Sequence, residues 1–188
     1  MAASHSSWSA GAIEELRAAA ANIPDATLDR FVDEVLAARR ISCFAWGREM
    51  LMLKAFAMRL AHLGMDAHVA GDVTAMPFGP GDLFLVVCGP GRLVSTNAMI
   101  EIARDAGARV LVVTAQPEGE TSRKADVLIH LPAQTLADDR GAASTSVLPM
   151  GTLFEMLELL FFDIAAIRLR ERSGQTLDQI RGRHTNLE

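Results

Sequence analysis

The chain has 188 residues, a length typical of one domain that folds around its own hydrophobic core. Hydrophobic residues make up 50% of it and charged residues 22%, which excludes an intrinsically disordered chain. The formal net charge of −5 disfavours nucleic acid as a partner, because surplus carboxylates repel a phosphate backbone.

The distribution of apolar residues argues against a membrane protein. The longest apolar run, residues 151–169, contains two glutamates, an aspartate and an arginine, so it is not expected to span a bilayer. The first ten residues lack a basic segment followed by an apolar one, which predicts no secretory signal. Cys43 and Cys88 both lie in apolar runs, as reduced core thiols do. These features predict a cytoplasmic protein with no membrane partner.

Helices and strands are predicted to alternate along the chain. Taken in order, the pattern predicts helices over 10–21 and 25–40, a strand over 41–46, a helix over 50–63, strands over 67–70 and 83–88, a helix over 93–106, a strand over 109–114, a short helix over 122–124, a strand over 126–131, and a long helix from 151 to 172. This alternation indicates an α/β fold whose parallel sheet has helices on both faces. A ligand is then expected at the carboxyl ends of the strands, in the loops 46–50, 88–93 and 114–121.

The second of these loops reads Cys88-Gly-Pro-Gly-Arg-Leu93 and joins a buried strand to a helix start. Its glycines allow a ligand to approach the backbone closely, and Arg92 can pair with an anion, whereas Pro90 has no amide hydrogen to donate. A strand-to-helix turn with no ligand would need the same glycines. The loop has neither the P-loop spacing nor that of a dinucleotide fingerprint.

Arg48 and Glu49 follow the first strand in the same way. A site for a ligand would account for both residues. A surface ion pair between them at a helix start, where a glutamate interacts favourably with the helix dipole, would account for them without a ligand.

Glu155 allows two interpretations. Thr152 and Glu155 have the spacing of a capping box at the start of the last helix. Alternatively, Glu155 is a carboxyl in apolar surroundings whose raised pKa suits it to remove a proton next to a carbonyl. Thr176 and Gln179 have the same capping signature, and there a cap alone is expected.

The remaining polar residues suggest little chemistry by themselves. His184 lies in a polar terminal segment, where an idle surface histidine is the ordinary interpretation. No cluster of His, Cys, Asp and Glu has the spacing of metal ligands, so no metal is expected.

Several segments together resemble the sugar isomerase (SIS) domain family, most closely its 6-phospho-3-hexuloisomerase branch, and they follow one another in the same order over nearly the whole chain. The matching segments are Gly47-Arg48, Lys54–Gly64, Gly81–Leu83, Ala125–Val127, Pro149–Glu155 and Arg183–Glu188.

The resemblance implies a three-layer αβα sandwich with a five-stranded parallel sheet of flavodoxin-like topology, usually assembled as a homotetramer. The last helix has too few polar positions for the surface of a monomer, which predicts a homodimer or homotetramer. We therefore expect a single SIS domain over 1–188. It would comprise N-terminal helices (1–40), an α/β core (41–131), a long interface helix (151–172) and a C-terminal tail (176–188) that contributes to a site.

The resemblance also implies the chemistry, which is isomerisation of a sugar or sugar phosphate through a cis-enediol without cofactor. Glu155 would shuttle the proton, and His184 would reach a neighbouring subunit's site to assist ring opening or polarise a hydroxyl. The residues expected to bind substrate lie in the three loops and are Gly47, Arg48, Glu49, Cys88, Gly89, Gly91, Arg92 and Thr114.

The sequence departs from the family in the loops that hold phosphate. Where the family has Gly-x-Gly-Arg-Ser, this chain has a glutamate, Glu49, in place of the serine. Where the family has Ser-Gly-Ser-Gly-Glu-Thr, the segment from Cys88 to Leu93 has none of the three hydroxyls. The third loop, usually Thr-Ser-Asn, is Thr-Ala-Gln over 114–116. We therefore expect a modified phosphate site.

Three functions remain open at this point. The first is a sugar isomerase with an altered substrate. The second is 6-phospho-3-hexuloisomerase itself, which converts 3-hexulose 6-phosphate to fructose 6-phosphate, with Arg92 in place of the missing serines. The third is a module that binds a carbohydrate derivative without turning it over.

Overall fold

The computed structural model describes residues 4–141 and 144–187, so Glu188, the last residue of the predicted tail, lies outside the described residues. Two helices come first, α1 (His5–Ala21) and α2 (Asp25–Ala37). The helix α1 begins five residues earlier than predicted, because the hydroxyl of Ser4 accepts a hydrogen bond from the amide of Ser7 and caps it.

Five parallel strands form one sheet. They are β1 (Arg40–Phe44), β2 (Ala67–Val69), β3 (Asp82–Val87), β4 (Arg109–Thr114) and β5 (Val127–His130). Their spatial order is β2-β1-β3-β4-β5, with Cys43 opposite both Val69 and Leu85. This is the flavodoxin-like order, and the predicted five-stranded parallel sheet is confirmed.

Helices cover both faces of the sheet. They are α3 (Gly47–His62), α4 (Val94–Asp105), α5 (Thr152–Ser173) and α6 (Leu177–Arg181), with a short 3-10 helix at Ser122–Lys124. Side chains that alternate along the strands form two separate cores. One packs against α1, α2, α3 and α5, and the other packs against α4. The predicted three-layer sandwich is therefore confirmed.

The helix α5 is held deep in the first core by aromatic contacts. The rings of Phe56 on α3 and Phe162 on α5 stack with centroids 4.6 Å apart, and Phe31 of α2 lies edge-on to Phe161 at 5.2 Å. This packing fixes the start of α5 beside the start of α3. Because α3 begins directly after β1, both helix starts lie at the carboxyl ends of the strands.

Two further features follow from burial. Cys43 and Cys88 are free thiols within the core, and burial raises the pKa of the Cys43 thiol to about 12. In the described ranges, no helix combines the length and apolar character needed to cross a bilayer.

Candidate active site

A cavity of about 250 Å³ opens at the carboxyl ends of the strands. Its walls are formed by the loop after β1, the first turn of α3, the loop after β3, the segment that precedes α5 and the first turn of α5. The residues that matter most for its chemistry are Trp46, Arg48, Glu49, Pro90, Phe154 and Glu155. The cavity therefore lies where an open parallel sheet is expected to bind a ligand.

Glu155 lies in the first turn of α5, and its side chain is only 12% exposed. Its Oε2 is 3.1 Å from Nε of Arg48, but no described residue hydrogen-bonds to that buried oxygen. The contact is thus an ion pair without hydrogen-bond geometry. Burial raises the pKa of Glu155, and the charge of Arg48 offsets part of that rise. A carboxyl with a raised pKa and an oxygen without a hydrogen bond is suited to accept and return a proton.

Arg48 lies in the first turn of α3 and reaches across the cavity to α5. In addition to the ion pair with Glu155, its Nη1 donates to Oγ1 of Thr152 at 3.5 Å. The surface ion pair between Arg48 and Glu49 that the sequence allowed is therefore wrong. Arg48 and Glu49 have different partners, because the side chain of Glu49 points at the β3–α4 loop.

The capping box predicted for Thr152 and Glu155 is also wrong. The N-cap of α5 is Gly151, whose φ of +79° is a left-handed conformation that glycine adopts readily. The hydroxyl of Thr152, already inside the helix, donates to the carbonyl oxygen of Pro149 at 2.6 Å. The side chain of Glu155 is therefore free to face the cavity. The second predicted box, between Thr176 and Gln179, is present.

Glu49 is held by the backbone of the β3–α4 loop. The amide of Gly89 donates to both oxygens of its carboxyl group, at 3.1 Å to Oε1 and 3.2 Å to Oε2. Burial raises the pKa of Glu49 to about 7; the Gly89 hydrogen bond opposes this rise, and nearby Glu155 adds to it. Glu49 thus changes charge in the physiological range.

The other predicted substrate-binding residues lie outside the cavity wall. Cys88 is fully buried, and the side chain of Arg92 forms an ion pair with Glu120 at 3.0 Å, not with Glu49. Gly91, with a φ of +70°, packs so closely on Gln116 that a Cβ would come within 2.6 Å of the Gln116 Cβ. These residues shape the β3–α4 loop without lining the cavity.

Thr114 supports the same loop from behind. It is fully buried, its hydroxyl donates to the carbonyl oxygen of Gly89 at 3.3 Å, and it accepts from the amide of Gln116 at 3.0 Å. Of the predicted binding residues, the structure brings Gly47, Arg48 and Glu49 together with Glu155 at the cavity.

His184 does not meet Glu155 within one chain. Its ring packs 5.1 Å from that of His62 at the far end of α3, and its Nδ1 lies 3.0 Å from the carbonyl oxygen of Thr185. A second cleft of about 290 Å³ lies beside His62 between α3, α5 and α6, and Glu155 is not among the residues that line it. A role for His184 in a neighbouring subunit's site stays a prediction.

Glu158 is a buried carboxyl that the sequence analysis missed. It lies one turn after Glu155 on α5, is 0% exposed, and neither carboxyl oxygen has a hydrogen-bonding partner among the described residues. Burial, together with the charges of Glu49 and Glu155, raises its pKa well above the ordinary value. The only available signal was its spacing of three residues from Glu155 in an apolar helix. Across 4–141 and 144–187, no three His, Cys, Asp or Glu side chains are grouped so that they could hold a metal ion.

The comparison with protein families decides the classification. The model of the SIS domain matches residues 35–160, which is more than half of the chain. The chain belongs to the SIS domain family. The matched region runs from the end of α2 to the first turns of α5 and contains Arg48, Glu49 and Glu155.

Individual relatives match nearly the full length of this SIS domain. A protein of Bacillus subtilis named 3-hexulose-6-phosphate isomerase is 34% identical, over 94% of this chain and 95% of its own. A crystal structure of a Methanococcus jannaschii protein, described as implying 3-hexulose-6-phosphate isomerase function, is 28% identical with a TM-score of 0.77, over 87% of each chain. The Vibrio vulnificus NanR protein complexed with ManNAc-6P shares the fold, with a TM-score of 0.76 and 20% identity over 93% of this chain and 65% of its own.

Proposed function

We propose that this SIS domain is a sugar isomerase that moves a proton between adjacent carbons of a sugar through a cis-enediol, with Glu155 as the base. The observation that carries the proposal is the position of the Glu155 side chain, which lines the cavity and is largely buried. Its Oε2 lies beside the guanidinium of Arg48 and accepts no hydrogen bond from a described residue. The relatives named as isomerases of a hexulose phosphate support the same reaction class.

The reaction needs one base and one stabilising charge. Glu155 removes the proton from the carbon next to the carbonyl, and the electrons of that C–H bond form the carbon–carbon double bond of the enediol. Arg48 stabilises the negative charge that develops on the carbonyl oxygen, and this oxygen takes up a proton from solvent. Glu155 then returns its proton to the former carbonyl carbon, while the hydroxyl on the adjacent carbon releases its proton to solvent and becomes the new carbonyl. Atoms balance without a cofactor, and the base needs a pKa lifted towards neutrality, as burial provides here.

The proposed enzyme works as an oligomer in the cytoplasm. Ile164 and Ile167 on the outer face of the interface helix (151–172) are 41% and 52% exposed, which supports a contact between subunits there. In such a homodimer or homotetramer, His184 of the tail (176–188) would assist ring opening in a neighbouring site. A monomeric mass in solution at micromolar concentration would overturn this part of the proposal.

A second candidate is the reaction of the named relatives themselves, the conversion of 3-hexulose 6-phosphate to fructose 6-phosphate. The 34% identity to the Bacillus subtilis protein over almost the full length favours it. The position of Glu49 on the Gly89 amide, however, favours a substrate that differs from that of the relatives at this end of the cavity.

The test is a direct assay of isomerisation. The protein is incubated with 3-hexulose 6-phosphate and, separately, with a panel of unphosphorylated ketoses and aldoses, and the products are separated by chromatography. We expect a new isomer from at least one sugar and none with Glu155→Gln. Glu171→Gln, at an exposed position of the same helix, is the matched control and should retain activity. Saturable binding without any isomer would instead identify a carbohydrate-binding module.

A further inference from the structure

The cavity contains an excess of acidic groups. Its wall carries the carboxyls of Glu49 and Glu155, and Glu158 lies buried behind them. The only cationic side chain lining the described wall is Arg48, which already forms an ion pair with Glu155. Arg92 is turned away to Glu120. Above about pH 7, where Glu49 is ionised, an anionic ligand would therefore meet a carboxylate that no cation of the described wall neutralises.

Three backbone amides of the β3–α4 loop, those of Gly89, Gly91 and Leu93, already have acceptors within the protein. The amide of Gly89 donates to Glu49, and Pro90 has none. The amide of Gly91 donates to the carbonyl oxygen of Cys88 at 3.0 Å, and that of Leu93 donates to the hydroxyl of Thr121 at 3.2 Å. Loops that bind phosphate direct several free amides at it, and these three amides are not free here.

The carboxyl of Glu49 fits closely in its place. A Cβ added to Gly89 would lie 2.5 Å from Oε1 of Glu49 and 2.8 Å from the ring of Phe154. The space that glycine leaves empty is thus filled by the carboxyl and by that ring. Glu49 occupies the position on the loop that an anionic group of a ligand would otherwise take.

We propose that Glu49 is a specificity-determining residue. At the β3–α4 loop, it makes the cavity select sugars that present an uncharged hydroxyl and reject sugars that present a phosphate monoester. The proposal rests on the proposed function in that the ligand is a sugar bound beside Glu155. Its physical basis is twofold: a fixed carboxyl consumes the donor that a phosphate would need, and its charge repels the phosphate.

The experiment measures the binding of phosphate without turnover. Inorganic phosphate and fructose 6-phosphate are titrated separately by calorimetry at pH 8 into the wild-type protein and into Glu49→Ser and Glu49→Gln. Glu118→Ser, which removes an exposed carboxylate, is the control for net charge. We expect both Glu49 variants to bind fructose 6-phosphate at least about tenfold more tightly than the wild type, and Glu118→Ser to match the wild type.

Two arms make the outcome specific to the cavity and to Glu49. Adding Arg48→Ala to Glu49→Ser should abolish the gain in affinity for fructose 6-phosphate if the phosphate binds beside the active site. Should Glu49→Ser unfold, Glu49→Gln keeps the side-chain size and carries the comparison alone. Wild-type protein that binds fructose 6-phosphate as tightly as a folded Glu49 variant would overturn the proposal. Because no turnover is needed, a protein without isomerase activity would still give the binding difference, so failure of the proposed function is recognised separately.

Discussion

Arg48 Nε lies 3.1 Å from Glu155 Oε2, and this contact joins the first turn of α3 to the first turn of α5 across the cavity. Each of these first turns lies at the positive end of a helix dipole, which favours the ionised form of the Glu155 carboxyl. Burial acts in the opposite direction and raises its pKa. The balance leaves a base that can alternate between its two protonation states during the proposed reaction.

Removing Arg48 should shift the pH dependence of catalysis. In Arg48→Ala, burial of Glu155 is no longer offset by a cation, so its pKa rises and the acidic limb of the kcat/KM profile moves to higher pH. We also expect kcat/KM to fall by about 10²-fold, because a stabilising charge for the enediolate is lost. Arg59→Ala, which removes an exposed guanidinium from the same helix, should leave the limb in place. An unchanged limb in Arg48→Ala would show that the ion pair does not tune the base.

Glu49 should make the folded state less stable as the pH rises. Its pKa is about 7 in the folded protein against an ordinary value of 4.5. Between these values the folded state retains a proton that the unfolded chain has released, so the free energy of unfolding falls from about pH 4.5 to about pH 7. Urea unfolding at several pH values should show a flatter decline for Glu49→Gln than for the wild type. Glu118→Gln is the control, and equal slopes for Glu49→Gln and the wild type would contradict the assignment.

Glu158→Leu should stabilise the protein. The carboxyl of Glu158 is fully buried with both oxygens unpartnered, and an unsatisfied buried polar group costs about 1–3 kcal/mol. Leucine has a similar size and replaces that cost with apolar contact. We expect the free energy of unfolding at pH 8 to rise by about 1–3 kcal/mol, measured by urea denaturation. Glu158→Gln keeps a polar group in the core and should gain less. A Glu158→Leu protein less stable than the wild type would indicate a partner for this carboxyl that the geometry does not account for.

Gly89→Ala should be destabilising, whereas Gly11→Ala should not. A Cβ at Gly89 would press on both Glu49 and Phe154, and overpacking of this kind costs about 1–3 kcal/mol. At Gly11, inside α1, the nearest atom to a new Cβ is 3.4 Å away on Val147, and alanine favours the helix by up to about 1 kcal/mol. Thermal unfolding of the two variants should therefore shift in opposite directions. A Gly89→Ala protein as stable as the wild type would contradict the close fit of Glu49 against the loop.

The strands of the sheet could be predicted because the sequence patterns that mark them lie within each strand and its flanking loops. The strand Arg109–Thr114 and the short helix Ser122–Lys124 were predicted to the residue, since an apolar run or a short turn bounded by loop residues defines each of them. The least accurate boundary was the start of α1, where a single side-chain cap added a turn of helix that the apolar pattern does not mark.

The site was predictable only in part, because its contacts join distant segments. Arg48 and Glu155 were singled out from their positions at helix starts as well as by resemblance, but their ion pair links residues on two helices that only the fold brings together. The capping box failed because the spacing of Thr152 and Glu155 does not reveal that Gly151 begins the helix. Glu158 was missed because a buried glutamate and an exposed one look alike in a sequence.

The role of Glu155 is tested most directly by the uptake of solvent hydrogen. Each sugar of the assay panel is incubated in D₂O with the wild-type protein, with Glu155→Gln and with Glu171→Gln, and deuterium at the carbons next to the carbonyl is followed by NMR. We predict labelling by the wild type and by Glu171→Gln, and labelling at least about 10²-fold slower with Glu155→Gln, as expected when a general base is lost. Equal labelling by the wild type and Glu155→Gln, or no label in any sugar, would contradict the account.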